Sequence, residues 1–152
     1  ILQDPSRAGN FRCTSLCPTL GGNDCPVLTA TAPIRTIENL WQRPAIVIMS
    51  RVHPGESNGS YVCQGFLRFI TGQHPVAQKL RSWFVIKVIP MLNPDGVING
   101  NHRSSLAGCD LNRQWSSPDP HLHPVIYAAK AMVRKAVKER GVPIVVDIHA
   151  HR

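Results

Sequence analysis

No stretch of this chain approaches the ~18 consecutive apolar residues that cross a bilayer, and the N-terminal residues show neither the basic start nor the apolar run of a secretory signal. The reading is a cytoplasmic protein without a membrane partner. No C-x-x-C pair occurs among Cys13, Cys17, Cys25, Cys63 and Cys109, and their number is odd. They read as reduced thiols in core or surface positions, not as a disulfide framework or a structural metal site. Aromatic residues make up only 6% and fall mostly in predicted core segments, which leaves little for base stacking and disfavours a nucleic-acid module. Acidic residues are scarce too, 9 against 17 Lys and Arg, and the resulting net charge of +8 favours acidic partners. There is no internal repeat and no low-complexity tract. With 43% hydrophobic and 17% charged residues in 152, what remains is one ordinary globular domain able to bury a core. The sequence opens on Ile1 and stops at Arg152 directly after an apolar run, so it is expected to be a piece of something longer.

The first ~25 residues are rich in Pro, Gly, Ser, Asn and Cys, with a turn signal at residues 21–24, and read as loop or the tail of a preceding domain. Residues 26–152 then alternate. Val27 to Thr31 and Pro44 to Ser50 are short apolar runs that predict strands, the second buried on both faces. Ser57 is the expected N-cap of a helix burying Val62, Gly65, Phe66, Phe69 and Ile70. Trp83 to Pro90 predicts a third strand, and residues 93–96 break the chain after it. A long polar loop from Val97 to His123 leads to a helix over Pro124 to Arg140, with Ile126, Ala129, Val133 and Ala136 on its apolar side. Its basic stripe reads as a solvated face. Gly141 ends that helix and Pro143 opens a strand to His149. Strands alternating with helices predict an α/β fold on a mostly parallel sheet covered on both faces, with its chemistry at the carboxyl ends of the strands.

Two such ends carry metal-ligating residues. His53 and Glu56 form H-x-x-E just after the Pro44 to Ser50 strand, and His149 closes the final strand. Two imidazoles and a carboxylate suit zinc with a fourth position open for chemistry. By chance the His-x-x-acid spacing arises about 0.4 times in such a chain, so position carries more weight than spacing. His151 stays open as an alternative to His149, because residues two apart in a strand share a face. In the long loop, Arg113 beside Asn112 offers a planar fork for a carboxylate, and Arg103 a cation for an oxyanion. Asp110 reads as a cap or an ion-pair partner, and His74, His102, His121 and His123 as solvated.

Four ordered blocks, R-V-H-P-G-E-S-N, P-M-L-N-P-D-G-V-I-N-G-N-H-R, S-L-A-G-C-D-L-N-R-Q-W and D-I-H-A-H-R, resemble the metallocarboxypeptidase family (peptidase M14) in its cytosolic carboxypeptidase branch, from about Thr19 to the end. The resemblance implies a three-layer α/β/α sandwich on a mixed, mostly parallel sheet, here the N-terminal half of the catalytic domain and incomplete at its C-terminus. It implies one Zn²⁺ held by His53, Glu56 and His149, with Asp110 orienting a ligand histidine. It also implies Arg103 as the oxyanion stabiliser, and Asn112 and Arg113 as the pair holding the substrate's terminal carboxylate. The implied activity is removal of glutamate from acidic protein tails, tubulin above all, in the cytosol and at microtubules. The segment H-A-H-R departs from the branch's more usual H-G-H-S, and the family's general-base glutamate, which lies C-terminal to the third ligand, is absent. The chain alone is therefore expected to be inactive or very weak. The alternative is a catalytically inactive fragment or pseudoenzyme that binds only zinc or an acidic tail.

Overall fold

The computed structural model describes residues 5–33 and 42–150. A 3-10 turn at Pro5–Asn10 leads into β1 (Phe11–Pro18), which pairs antiparallel with β2 (Asp24–Ala30) in a register running from Phe11 opposite Ala30 to Pro18 opposite Asp24. Gly22, at φ 76°, adopts the left-handed conformation that this hairpin's turn requires. The expectation of loop or tail over the first ~25 residues is thus corrected for residues 11–18. Most of β1 is exposed, so it lacks the apolar alternation by which a strand is recognised.

The sheet runs β1-β2-β4-β3-β5, where β3 is Ala45–Ser50, β4 Val85–Ile89 and β5 Ile144–Ile148. β4 pairs antiparallel with β2, while β3 lies parallel to both β4 and β5. The sheet is therefore mixed, with its parallel half where the sequence places the chemistry. Alternation in β3 divides the core. Val47 and Met49 face one side, where Val125, Ile126 and Ala129 of α4 (Pro124–Arg140) cover them. Ile48 faces the other, where Cys63, Leu67 and Ile70 of α1 (Ser57–Thr71) and Ala77 of α2 (Pro75–Trp83) cover it. This is the three-layer α/β/α arrangement. Each of the Val, Ile, Leu and Met side chains among these, when fully buried, contributes about 1.5–3 kcal/mol over its exposed state.

Three expectations need correction. Ser57 is the first residue of α1 and not its cap, which is Glu56. The buried stripe of α1 is Gly59, Cys63, Leu67, Ile70 and Thr71, while Val62 is 54% exposed. The stripe bearing Gly59 sits against the sheet, so closely that a Cβ there would come 3.0 Å from Ser50 Oγ. Trp83 ends α2 and does not begin β4. Pro75 at the helix start and the His74 ring, accepting from Val76 N–H at 3.2 Å, open that nine-residue helix. Residues 93–96 bend the chain into a single helical turn, α3 (Pro94–Ile98), capped by Asn93. Among the described residues no helix is long and apolar enough to cross a membrane.

Candidate metal centre

The parallel register sets Ser50, the last residue of β3, opposite Ile148, the last of β5. The segments that leave these neighbouring strand ends carry the three ligand candidates. Beyond β3 the chain turns at Arg51, whose φ of 57° is unusual for a residue with a side chain. Its guanidinium holds the turn, with Nε donating to Pro54 O at 2.8 Å and Nη1 to Ser60 Oγ at 2.6 Å. Gly55 N–H donates to His102 O at 2.7 Å and ties this turn to the long loop. Within it Glu56 N–H reaches His53 O at 3.2 Å, which puts the two side chains side by side.

His53 is 3% exposed. Its Nδ1 lies 2.9 Å from Glu56 Oε1 and its Nε2 3.0 Å from Asp110 Oδ1. His149 mirrors this, with Nδ1 3.3 Å from Glu56 Oε2 and Nε2 2.8 Å from Asp147 Oδ2. The two rings stand 5.1 Å apart, centroid to centroid. One ligand atom from each of His53, Glu56 and His149 falls within 4.8 Å of the others. The donor set fits a divalent metal such as zinc: two imidazole nitrogens and a carboxylate converge, and each ring's remaining nitrogen is held by a carboxylate.

The electrostatics suit a cation. Burial pushes the Glu56 carboxyl up, but the hydrogen bond from Ala150 N–H, at 2.7 Å, and the adjacent His53 and His149 rings outweigh it and hold the group below its ordinary range. Asp110 is likewise raised by burial and lowered further by Asn112 N–H, His53 and Arg103, with a net shift downward. Both stay ionised near neutrality. Asp110 takes on all the duties open to it. Besides holding His53, it caps a 3-10 turn at Leu111–Arg113 by accepting from Asn112 N–H at 2.8 Å, and it pairs with Arg103 through Nε and Nη2, both 2.9 Å from Oδ2. Buried Leu111 anchors that turn.

Asn112 and Arg113 lie in the same turn, away from the ligand trio. Asn112 Oδ1 accepts from Trp115 Nε1 at 3.0 Å. Arg113 approaches Asp110 only to 3.9 Å, and its side chain is 69% exposed on the rim. His74 and His123 accept backbone N–H groups at helix starts or in turns, and none of His74, His102, His121 or His123 joins the cluster. His151 lies outside the described residues. Sequence reasoning missed Asp147 and the Ala150 amide. The first was within reach, since D-x-H on a strand puts both side chains on one face; the second depends on a loop's backbone course and leaves no mark in composition.

Residues 6–134 match the zinc carboxypeptidase family, peptidase M14. The chain belongs to that family. Over 147 residues it is 54% identical to cytosolic carboxypeptidase 4 of Mus musculus and 50% identical to cytosolic carboxypeptidase 1 of Gallus gallus, in each case over 93% of this chain. Those alignments cover 13% and 12% of the two relatives, so this zinc carboxypeptidase chain spans about an eighth of their length. Among solved structures, a metallo-carboxypeptidase from Burkholderia cenocepacia superposes with a TM-score of 0.81 at 30% identity, over 99% of this chain and 38% of that one. Fold class and family therefore stand as the motifs implied.

Proposed function

We propose that this chain is the metal-holding part of a zinc metallocarboxypeptidase that removes glutamate from acidic protein tails, such as those of tubulin, in the cytosol. The observation that carries the reading is the convergence of His53, Glu56 and His149 within 4.8 Å at the ends of two parallel strands. The names of the relatives, cytosolic carboxypeptidases, support the reaction and the compartment, and the net charge of +8 suits an acidic tail. When bound, zinc supplies Lewis-acid polarisation of the scissile carbonyl and activation of water. The residues of this chain do the rest of the placing. His53, Glu56 and His149 would hold the ion, and Asp110, 3.0 Å from Nε2 of His53, would keep that ring in place. Arg113 and Asn112 receive the free terminal carboxylate. Arg103 faces the oxyanion from its seat on Asp110.

A second reading is favoured by one specific observation. Among the described residues each carboxylate at the centre already holds a histidine: Glu56 and Asp110 as above, and Asp147 through Oδ2 on His149. Proton transfer, which contributes about 10²–10⁴-fold to such reactions, needs a further group. By itself the chain then binds zinc or an acidic tail with little or no hydrolysis.

The test is zinc stoichiometry by dialysis and metal analysis, with release of glutamate from a polyglutamate-ended peptide followed in parallel. We expect one zinc per chain, lost when His53→Ala and His149→Ala are combined. Retention of stoichiometric zinc by that double variant rejects the site. One zinc without glutamate release selects the second reading.

A further inference from the structure

Asp147 is the acidic side chain at the centre that neither the ligand set nor the 3-10 turn explains. It lies on β5, two residues before His149, which follows the strand's last residue, Ile148. Its Oδ2 lies 2.8 Å from His149 Nε2, whereas its Oδ1 is buried with no hydrogen-bond partner among the described residues. A buried carboxylate oxygen without a donor is unfavourable, and such groups persist where they serve a purpose beyond packing. On the far side of the ring His149 Nδ1 faces Glu56 Oε2 at 3.3 Å. His53 shows the same pattern, Nδ1 towards Glu56 and Nε2 towards Asp110. Glu56 thus gives one oxygen to each imidazole, and each imidazole gives its other nitrogen to an aspartate of its own. The two aspartates are not equivalent. Asp110 divides its charge between His53 and Arg103, while Asp147 has no guanidinium against it among the described residues.

We propose that Asp147 is the positioning residue for His149: it accepts the Nε2–H, keeps that proton off Nδ1, and aims the Nδ1 lone pair at the ion shared with Glu56 and His53. The proposal rests on the metal-centre reading above. A metal-binding imidazole must be neutral, with the lone pair on the coordinating nitrogen, and its two neutral tautomers otherwise lie close in energy. A carboxylate oxygen 2.8 Å from Nε2 settles the choice, because only the Nε2–H tautomer can donate to it. Because the contact joins residues two apart at the end of β5 and just beyond it, it can form before any ion arrives.

The experiment compares the full chain with Asp147→Leu, which removes both charge and acceptor, and Asp147→Asn, which keeps an acceptor oxygen without the charge. Imidazole ¹⁵N shifts of the metal-free proteins at a pH where His149 is neutral report the tautomer, and competition with a chromophoric chelator reports zinc affinity. We expect His149 to be Nε2–H in the wild type and a mixture of tautomers in Asp147→Leu, with zinc binding weakened about 10–100-fold. Asp147→Asn falls in between, and it carries the comparison should the Leu variant lose its far-UV circular dichroism. Wild-type tautomer and zinc affinity within twofold in both variants overturn the proposal. If the wild type binds no zinc, the metal reading fails and the tautomer still decides the role of Asp147. Loss of a fixed Nε2–H on substitution supports it, and a tautomer mixture in the wild type overturns it.

Discussion

Gly55 shows how tightly single residues are held around the ligands. A Cβ at that position would come 2.6 Å from His102 Nδ1 and 2.7 Å from His102 O, and the second of these is backbone that cannot swing aside. Gly55→Ala is therefore expected to push apart the turn carrying His53 and the loop carrying Arg103 and Asp110. Urea unfolding should register a loss of about 1–3 kcal/mol, and chelator competition a zinc affinity at least tenfold weaker. Arg51 presents the converse case. Its left-handed backbone costs about 1–2 kcal/mol, and its side chain offsets that through the bonds to Pro54 and Ser60. Arg51→Ala keeps the backbone cost and loses both bonds, whereas Arg51→Gly loses the bonds and the cost together. Measured by urea midpoints, the Gly variant should be the more stable of the two by about 1 kcal/mol; equal midpoints would mean that the backbone at Arg51 is unstrained.

Helices α1 and α2 are joined by a buried cation. Arg81, 3% exposed, sends Nη1 to Ile70 O at 2.5 Å and to Gly72 O at 2.9 Å, satisfying carbonyls that the end of α1 leaves open. Replacing it by Met keeps the volume and orphans those oxygens, and thermal denaturation should show a loss of about 2–3 kcal/mol. An unchanged transition would assign the connection to packing alone. Nothing in the sequence pattern announces α2. It follows α1 after three residues, and its opening, His-Pro, looks like a break before it looks like a start. The elements that were legible, β3, α4 and β5, are those whose apolar spacing is uninterrupted and whose ends carry Pro or Gly. Those that were misread, β1, α2 and the face of α1, are half exposed or draw on small residues such as Gly59, where hydrophobicity gives no orientation. That His53, Glu56 and His149 come together was legible because the segments carrying them leave neighbouring strand ends. The Ala150 amide, Arg51 and the tie from Gly55 to His102 required coordinates, since their meaning lies in what the backbone brings near them.

Across the whole molecule, buried acids link distant parts and make the fold sensitive to acid. Asp95 accepts from Thr19 Oγ1 at 2.5 Å, Gly21 N–H at 2.8 Å and Asn23 Nδ2 at 2.9 Å, fastening the β1–β2 hairpin to α3. Burial raises its pKa, but the three donors outweigh that and hold it below the ordinary 3.8. A folded value depressed in this way stabilises fully above 3.8, and the stabilisation is lost as pH falls through the lower folded value. Glu56 and Asp110 carry the same sign. The metal-free chain should keep a level urea midpoint through the neutral range and lose stability once pH drops below about 4. Asp95→Asn should lower the plateau and flatten the fall; an equally steep fall would place the acid sensitivity elsewhere.

Glu56 and Ala150 are joined by a single hydrogen bond across 94 positions of sequence. One carboxylate thereby spans the start of α1 and the end of an outer strand whose Ile144, Val145 and Val146 are 39–50% exposed. On the proposed metal reading, an ion seated beside that carboxylate would also act as a clasp on the strand. Amide hydrogens of β5 and of Ala150 should exchange more slowly with solvent deuterium once zinc is added, while those of the β1–β2 hairpin, at the opposite border of the sheet, keep their rate.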